Sequence, residues 1–165
     1  MTETEALIAL NQLPKIGPVK TNALVTRFGS AVKTLQASSS ELTQASGIGA
    51  QSAEVISNWE SYADPSAEIQ LAQEREIQIL TKKDEGYPQK LLESHDAPVL
   101  LYVWGQLEDR DDYGIAVVGS RKCTHYGREC ARKFSFQLAQ AGVTIISGLA
   151  RGIDTAGHEG ALAAK

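Results

Sequence analysis

Two short stretches of this chain carry glycine, a small hydroxyl and an arginine in close succession. The first is Gly119-Ser120-Arg121 and the second is Ser147-Gly148-Leu149-Ala150-Arg151-Gly152. An arginine guanidinium forks onto phosphate or carboxylate oxygens. A serine hydroxyl donates single hydrogen bonds, and glycine lets a backbone come close to a ligand. The chemistry that fits is binding of a phosphate-bearing ligand, with Gly119, Ser120, Arg121, Ser147, Gly148, Arg151 and Gly152 as its candidate residues.

The elements that must position them read plainly. Ile115 to Val118 is a short, uncharged, β-branched run, the pattern of a strand buried on both faces of a parallel sheet. A helix is expected from about Tyr126 to Ala141, ended by Gly142. Val143 to Ile146 reads as a second buried strand, and about 153–164 as a second helix. A strand–loop–helix series repeated twice is a parallel α/β unit with a right-handed crossover. Both loops then leave the carboxyl ends of parallel strands, where ligands meet helix N-termini in open α/β sheets.

Several familiar phosphate sites are excluded. The G-x-G-x-x-G fingerprint is not met, because Gly119 is followed by Arg121 and Thr124. Thr144-Ile145-Ile146-Ser147 offers no acidic residue for a ribose, and G-x-x-x-x-G-K-[ST] occurs nowhere. By pattern alone, an ordinary pair of tight βα turns explains the loops as well as a phosphate site does. No base–nucleophile pair stands out, so catalysis is not required, and no cofactor is called for.

The motif V-V-G-S-R followed by S-G-x-A-x-G-I-D-x-x-x-H resembles the DNA-processing protein A family, also called DprA or Smf. Tyr87-Pro88, Leu91, Pro98, Leu100-Leu101-Tyr102 and Gly105 match that family's Y-P-x-x-L…P-x-x-L-[FY]-x-x-G pattern. The resemblance covers roughly Ile77 to Lys165. It implies a Rossmann-like core that binds single-stranded DNA and hands it to a RecA-type recombinase in natural transformation. It also brings in Asp154 and His158 as supporting residues. Asp154 is expected to cap the second helix or orient an arginine. Gly157 stands where the family commonly has alanine, and glycine inside a helix costs about 1 kcal/mol relative to alanine. Family members continue with further strands, ligand residues and a dimerisation surface, so the chain is expected to be a C-terminally truncated member. The homodimer belongs to the full-length form.

Composition bounds the rest. The 165 residues carry a net charge of −4, which alone argues against a nucleic-acid binder. The charge is unevenly spread: −2 over residues 1–64, −6 over 65–113 and +4 over 114–165. Arg128, Arg132 and Lys133 read as the solvated face of a helix. No stretch is long and apolar enough to span a membrane, and MTETEALIAL lacks a signal peptide's basic start. Cys123 and Cys130 are seven apart, which suits a reducing cytoplasm and neither zinc nor a disulfide scaffold. His95, His125 and His158 show no ligand spacing, and the acidic run Glu108-Asp109-Arg110-Asp111-Asp112 reads as a solvated loop, so no metal is expected. Tyr126 lies where it could stack on a base. Tyr102, Trp104, Phe134 and Phe136 read as core.

The N-terminal part holds a weak repeat. Residues 13–24 lie over residues 45–56 at an offset of 32, each copy an apolar-Gly turn followed by an amphipathic helix. This looks like helix-hairpin-helix, whose turns offer backbone N–H groups to DNA phosphates. Lys15 and Lys20 flank the first turn, and the second has no basic residue. A compact bundle that uses the glycines for packing, or that offers a surface to a protein, fits equally. Helices are expected near 3–13, 18–28, 39–46 and 50–62. The fold class expected is α/β: an incomplete Rossmann-like parallel sheet, with strands near 77–80, 99–104, 115–118 and 143–146, preceded by a small all-α helix-hairpin-helix or SAM-like domain. The domains expected are 1–63 helical, 64–75 a connecting helix with Asp64 as N-cap and Pro65 in its first turn, and 76–165 the DNA-binding part. Two other readings remain open. One is an enzyme on a nucleotide or nucleoside phosphate, of the Rossmann-like lysine-decarboxylase-like kind, whose P-G-G-x-G-T-x-x-E signature is absent here. The other is a protein-interaction module.

Overall fold

The computed structural model describes residues 1–164. The chain is α/β and falls into two compact units, Met1–Gln106 and Leu107–Lys165.

The first unit begins with six helices whose starts are written in local sequence. Helix α1 (Glu3–Gln12) opens with a capping box, Thr2 accepting from the Glu5 N–H and Glu5 from the Thr2 N–H. Helix α2 (Pro18–Phe28) starts on a proline after Gly17 and stops at Gly29, left-handed at φ 83°. Helices α3 (Ala31–Gln36) and α4 (Ser39–Leu42) are capped by Ser30 and Ser38. Helix α5 (Ala50–Ser57) follows Gly49, and α6 (Pro65–Glu74) is capped by Asp64 as its sequence predicts. Ile8, Leu10, Leu24, Leu42 and Ile56 are fully buried at the centre. Two expectations change. Helix α3 has no counterpart among the expected helices, and the helix expected over 50–62 ends at Asn58, whose side chain donates to the Glu54 carbonyl.

Strands β1 (Ile77–Thr81) and β2 (Leu100–Trp104) pair antiparallel, Ile77 opposite Trp104 through Thr81 opposite Leu100. The same core runs into them, taking in Val99, Leu100 and Ile79. The expected four-stranded parallel sheet is therefore not what the described residues form: there are two separate two-stranded sheets. The connection between β1 and β2 contains only the one-turn helix α7 (Gln89–Leu92). Parallel pairing needs a crossover, usually a full helix, to carry the chain back. Instead Tyr87, fully buried, donates from its hydroxyl to the Pro98 carbonyl at 2.7 Å and closes the connection on itself.

The second unit is a β–α–β–α series. Strands β3 (Ile115–Ala116) and β4 (Ile145–Ile146) are parallel, joined by α8 (His125–Gln140) and followed by α9 (Ile153–Leu162). Helices α8 and α9 pack closely. A Cβ at Gly157 would meet Val117 at 3.0 Å and Ser135 at 3.3 Å, so the glycine lets α9 settle against α8 and the residue that follows β3. That closeness offsets its poor helix propensity. Burial of the strands on both faces is not observed: Val118 is 69% and Ile146 47% exposed. Among the described residues no helix is long and apolar enough to cross a membrane.

Candidate functional site

The two arginine loops lie against each other at the carboxyl ends of β3 and β4. Three contacts hold them. The Ile153 N–H donates to the Ser120 carbonyl at 3.3 Å. Gly152, at φ 92°, brings its backbone so close that any Cβ there would strike Ser120 and Arg121. The third contact is Asp154, only 5% exposed. Its Oδ1 accepts from the Gly119 N–H at 3.3 Å and its Oδ2 from the Gly148 N–H at 3.1 Å. One carboxylate on the first turn of α9 thus ties both glycine loops.

This changes the roles expected from the sequence. Asp154 does not cap α9; the N-cap position is Gly152, which has no side chain to do so. The amides of Gly119 and Gly148 are engaged by Asp154 and are not free phosphate donors. The serines shape their own loops. Ser120 accepts from the Lys122 N–H at 3.1 Å, and Ser147 accepts from the Leu149 N–H at 3.0 Å. Ser147 also shares a 2.7 Å hydrogen bond with Nε2 of His158, one turn beyond Asp154 on α9. The sequence reading missed this serine–histidine pair, although the i, i+4 spacing of Asp154 and His158 was a signal that both face the loops. No third group orients the His158 ring among the described residues, as a nucleophile's base requires.

What the loops leave available is charge. Arg121 and Arg151 are exposed, and neither makes a hydrogen bond or ion pair among the described residues. Arg132 contrasts with them: it pairs with Glu159 and Glu129, both at 2.6 Å, and these carboxylates push its pKa up, the Glu159 hydrogen bond most. Tyr126, 78% exposed on the first turn of α8, presents a ring to solvent, and a hydrogen bond with Cys130 pushes its phenol pKa up. The other aromatics correct the expectation of a core place. Trp104 is 84% and Phe134 60% exposed, and Phe136 is half-buried. Tyr102 is partly exposed with its phenol pushed up to about 12, by burial first and then by Glu68.

Other candidates fall elsewhere. No group of acidic, histidine or cysteine side chains that could hold a metal occurs among the described residues. The acidic run is a 3₁₀ turn over Asp109–Tyr113, and Asp111 is structural within it. Asp111 accepts from the Glu108 N–H and the Thr144 hydroxyl, both at 2.8 Å, and these bonds lower its pKa. In the first unit the two glycine turns are neighbours, since Lys20 reaches Ser52 at 3.2 Å and Lys15 reaches Gln51 at 3.5 Å. A cleft of about 220 Å³ opens beside β4, walled by Thr144, Ile145, His158 and Leu162 among others. Neither Arg121 nor Arg151 is among its walls.

Residues 78–165 match the family model described as DNA recombination-mediator protein A. The chain belongs to this family. The match takes in β2, both arginine loops and all of the second unit. The chain is 32% identical over 159 residues to Protein Smf of Synechocystis, covering 94% of this chain and 40% of that protein. It is 46% identical over 79 residues to DNA processing protein DprA of Streptococcus pneumoniae, covering 48% of this chain and 28% of that one. The X-ray structure of the Streptococcus pneumoniae DNA processing protein A superposes with a TM-score of 0.64 at 29% identity, over 99% of this chain and 55% of that one. The chain thus spans less than half the length of these curated relatives.

Proposed function

We propose that the chain binds single-stranded DNA through its backbone phosphates, with Arg121 and Arg151 as the principal contacts. The observation that carries this is the pair of exposed, unpaired guanidiniums on two loops fixed to each other. An unpaired guanidinium binds phosphate without first giving up a protein partner. Neither arginine lines the cleft beside β4, and that cleft is smaller than the 300–1,000 Å³ or so typical of small-molecule pockets. An open surface suits a polymer better than a mononucleotide. The +4 charge of residues 114–165 agrees. Tyr126 supplies a ring on which a base can stack.

In this reading the protein is cytoplasmic and non-catalytic. It shields incoming DNA and assists a RecA-type recombinase in natural transformation. A homodimer is the form proposed for full-length relatives. By function, 1–63 is the helical module, 64–75 the connector and 76–165 the DNA-binding part. Anisotropy titration of labelled oligo-dT, with duplex DNA and a mononucleotide as competitors, tests it. Preference for the single strand, with little competition by the mononucleotide, is expected. Competition by the mononucleotide at equal concentration would transfer the site to a nucleotide-processing enzyme. The Ser147–His158 pair is the one observation that favours that second reading, and it requires Ser147→Ala to abolish turnover.

A further inference from the structure

We infer that Asp154 is a positioning residue for this DNA site: its carboxylate, bridging the amides of Gly119 and Gly148, holds the two arginine loops at one fixed spacing. The inference rests on the single-strand reading above. Asp154 is 5% exposed and its two oxygens are divided between the loops, one to each. Arg121 follows Gly119 by two residues and Arg151 follows Gly148 by three, so each arginine is hinged on an amide that Asp154 holds. Besides this carboxylate, the loops are linked by the neutral Ile153 to Ser120 bond, at 3.3 Å the same length as the Gly119 to Asp154 bond, and by the close approach of Gly152. Hydrogen bonds to an ionised acceptor are the stronger kind, roughly twice a neutral one. A polyanion that meets both arginines at once gains from having their spacing set in advance, because the ordering cost is met in folding and not in binding.

Charge alone predicts the opposite sign. Asp154 is a negative charge behind a site for a polyanion, and neutralising it should tighten DNA binding. The positioning role predicts weaker binding. An asparagine at this position keeps the volume but only one acceptor oxygen, while its NH₂ group confronts the second glycine amide. One loop is released.

The test is Asp154→Asn against the unaltered chain in the oligo-dT titration, across a salt series, with thermal melting as a control. Affinity is expected to fall roughly tenfold, the scale of a single charge-assisted hydrogen bond. The log–log salt slope is expected to shrink by about 0.7, the contribution of one phosphate on a single strand. Partial unfolding would lower the active fraction and leave the slope of the remainder unchanged, so the slope separates positioning from bulk stability. Equal or tighter binding at an unchanged slope would overturn the inference while leaving the single-strand reading intact. Failure of the unaltered chain to bind would instead defeat that reading. If the variant does not fold, amide hydrogen exchange on the unaltered chain decides. Gly119 and Gly148 should be protected together, and free exchange at either one contradicts the bridge.

Discussion

Gly152 shows how tightly the arginine loops constrain single residues. Its φ of 92° lies in a region that L side chains rarely adopt, and a Cβ would collide with the Ser120 carbonyl and Arg121 backbone. Gly152→Ala is therefore expected to cost roughly 1–3 kcal/mol, with the loops driven apart. Urea unfolding monitored by circular dichroism measures it, and a neutral result would refute the close approach. The residue types at this site are legible in the sequence: glycine, serine and arginine stand together in both loops, a pattern that fits a phosphate site and a pair of tight turns equally. Their division of labour is not. Nothing in the letters Gly119 and Gly148 says that a carboxylate from 35 and 6 positions away takes their amides. That depends on where α9 begins in space, which is a tertiary property.

At the scale of elements, helix starts are the most readable features because their signals are local. Asp64 accepts from the Ala67 N–H at 3.0 Å, and Pro65 needs no donor partner in the first turn. Asp64→Ala should lower the stability of the first unit by about 1 kcal/mol, read from its melting transition. The turn after β1 is fastened by Asp84, which accepts from the Thr81 N–H at 2.6 Å and hydroxyl at 2.8 Å. These bonds, the backbone one first, lower its pKa below the ordinary 3.8. A depressed carboxyl stabilises the fold above its unfolded value and gives up that contribution as pH falls through the folded one. Acid titration should therefore loosen this turn only below the ordinary carboxylate range, and Asp84→Asn should remove that dependence. The pairing of strands is much less readable than their existence. Ile77–Thr81 and Leu100–Trp104 both read as strands, but their antiparallel register follows from the buried Tyr87 and the short α7 between them. In the same way β3 and β4 read as fully buried from β-branched composition. Composition records what a strand tolerates and does not count the neighbours that cover it.

For the whole molecule, the formal charge of −4 is a misleading average. The acidic residues concentrate in 65–113, and the excess of basic residues lies in the segment that carries the paired loops. Within that segment the structure separates cations already used, such as Arg132 with its two glutamates, from cations left free. The central claim is that Arg121 and Arg151 act together on DNA phosphates. Its most direct test is the salt dependence of oligo-dT binding by the unaltered chain and by Arg121→Ala/Arg151→Ala, both shown to be folded. The account predicts a log–log slope shallower by about 1.4 in the double variant, two phosphates' worth at about 0.7 each, with affinity reduced at least roughly tenfold in low salt. An unchanged slope and affinity would contradict it and place the DNA contacts elsewhere on the chain.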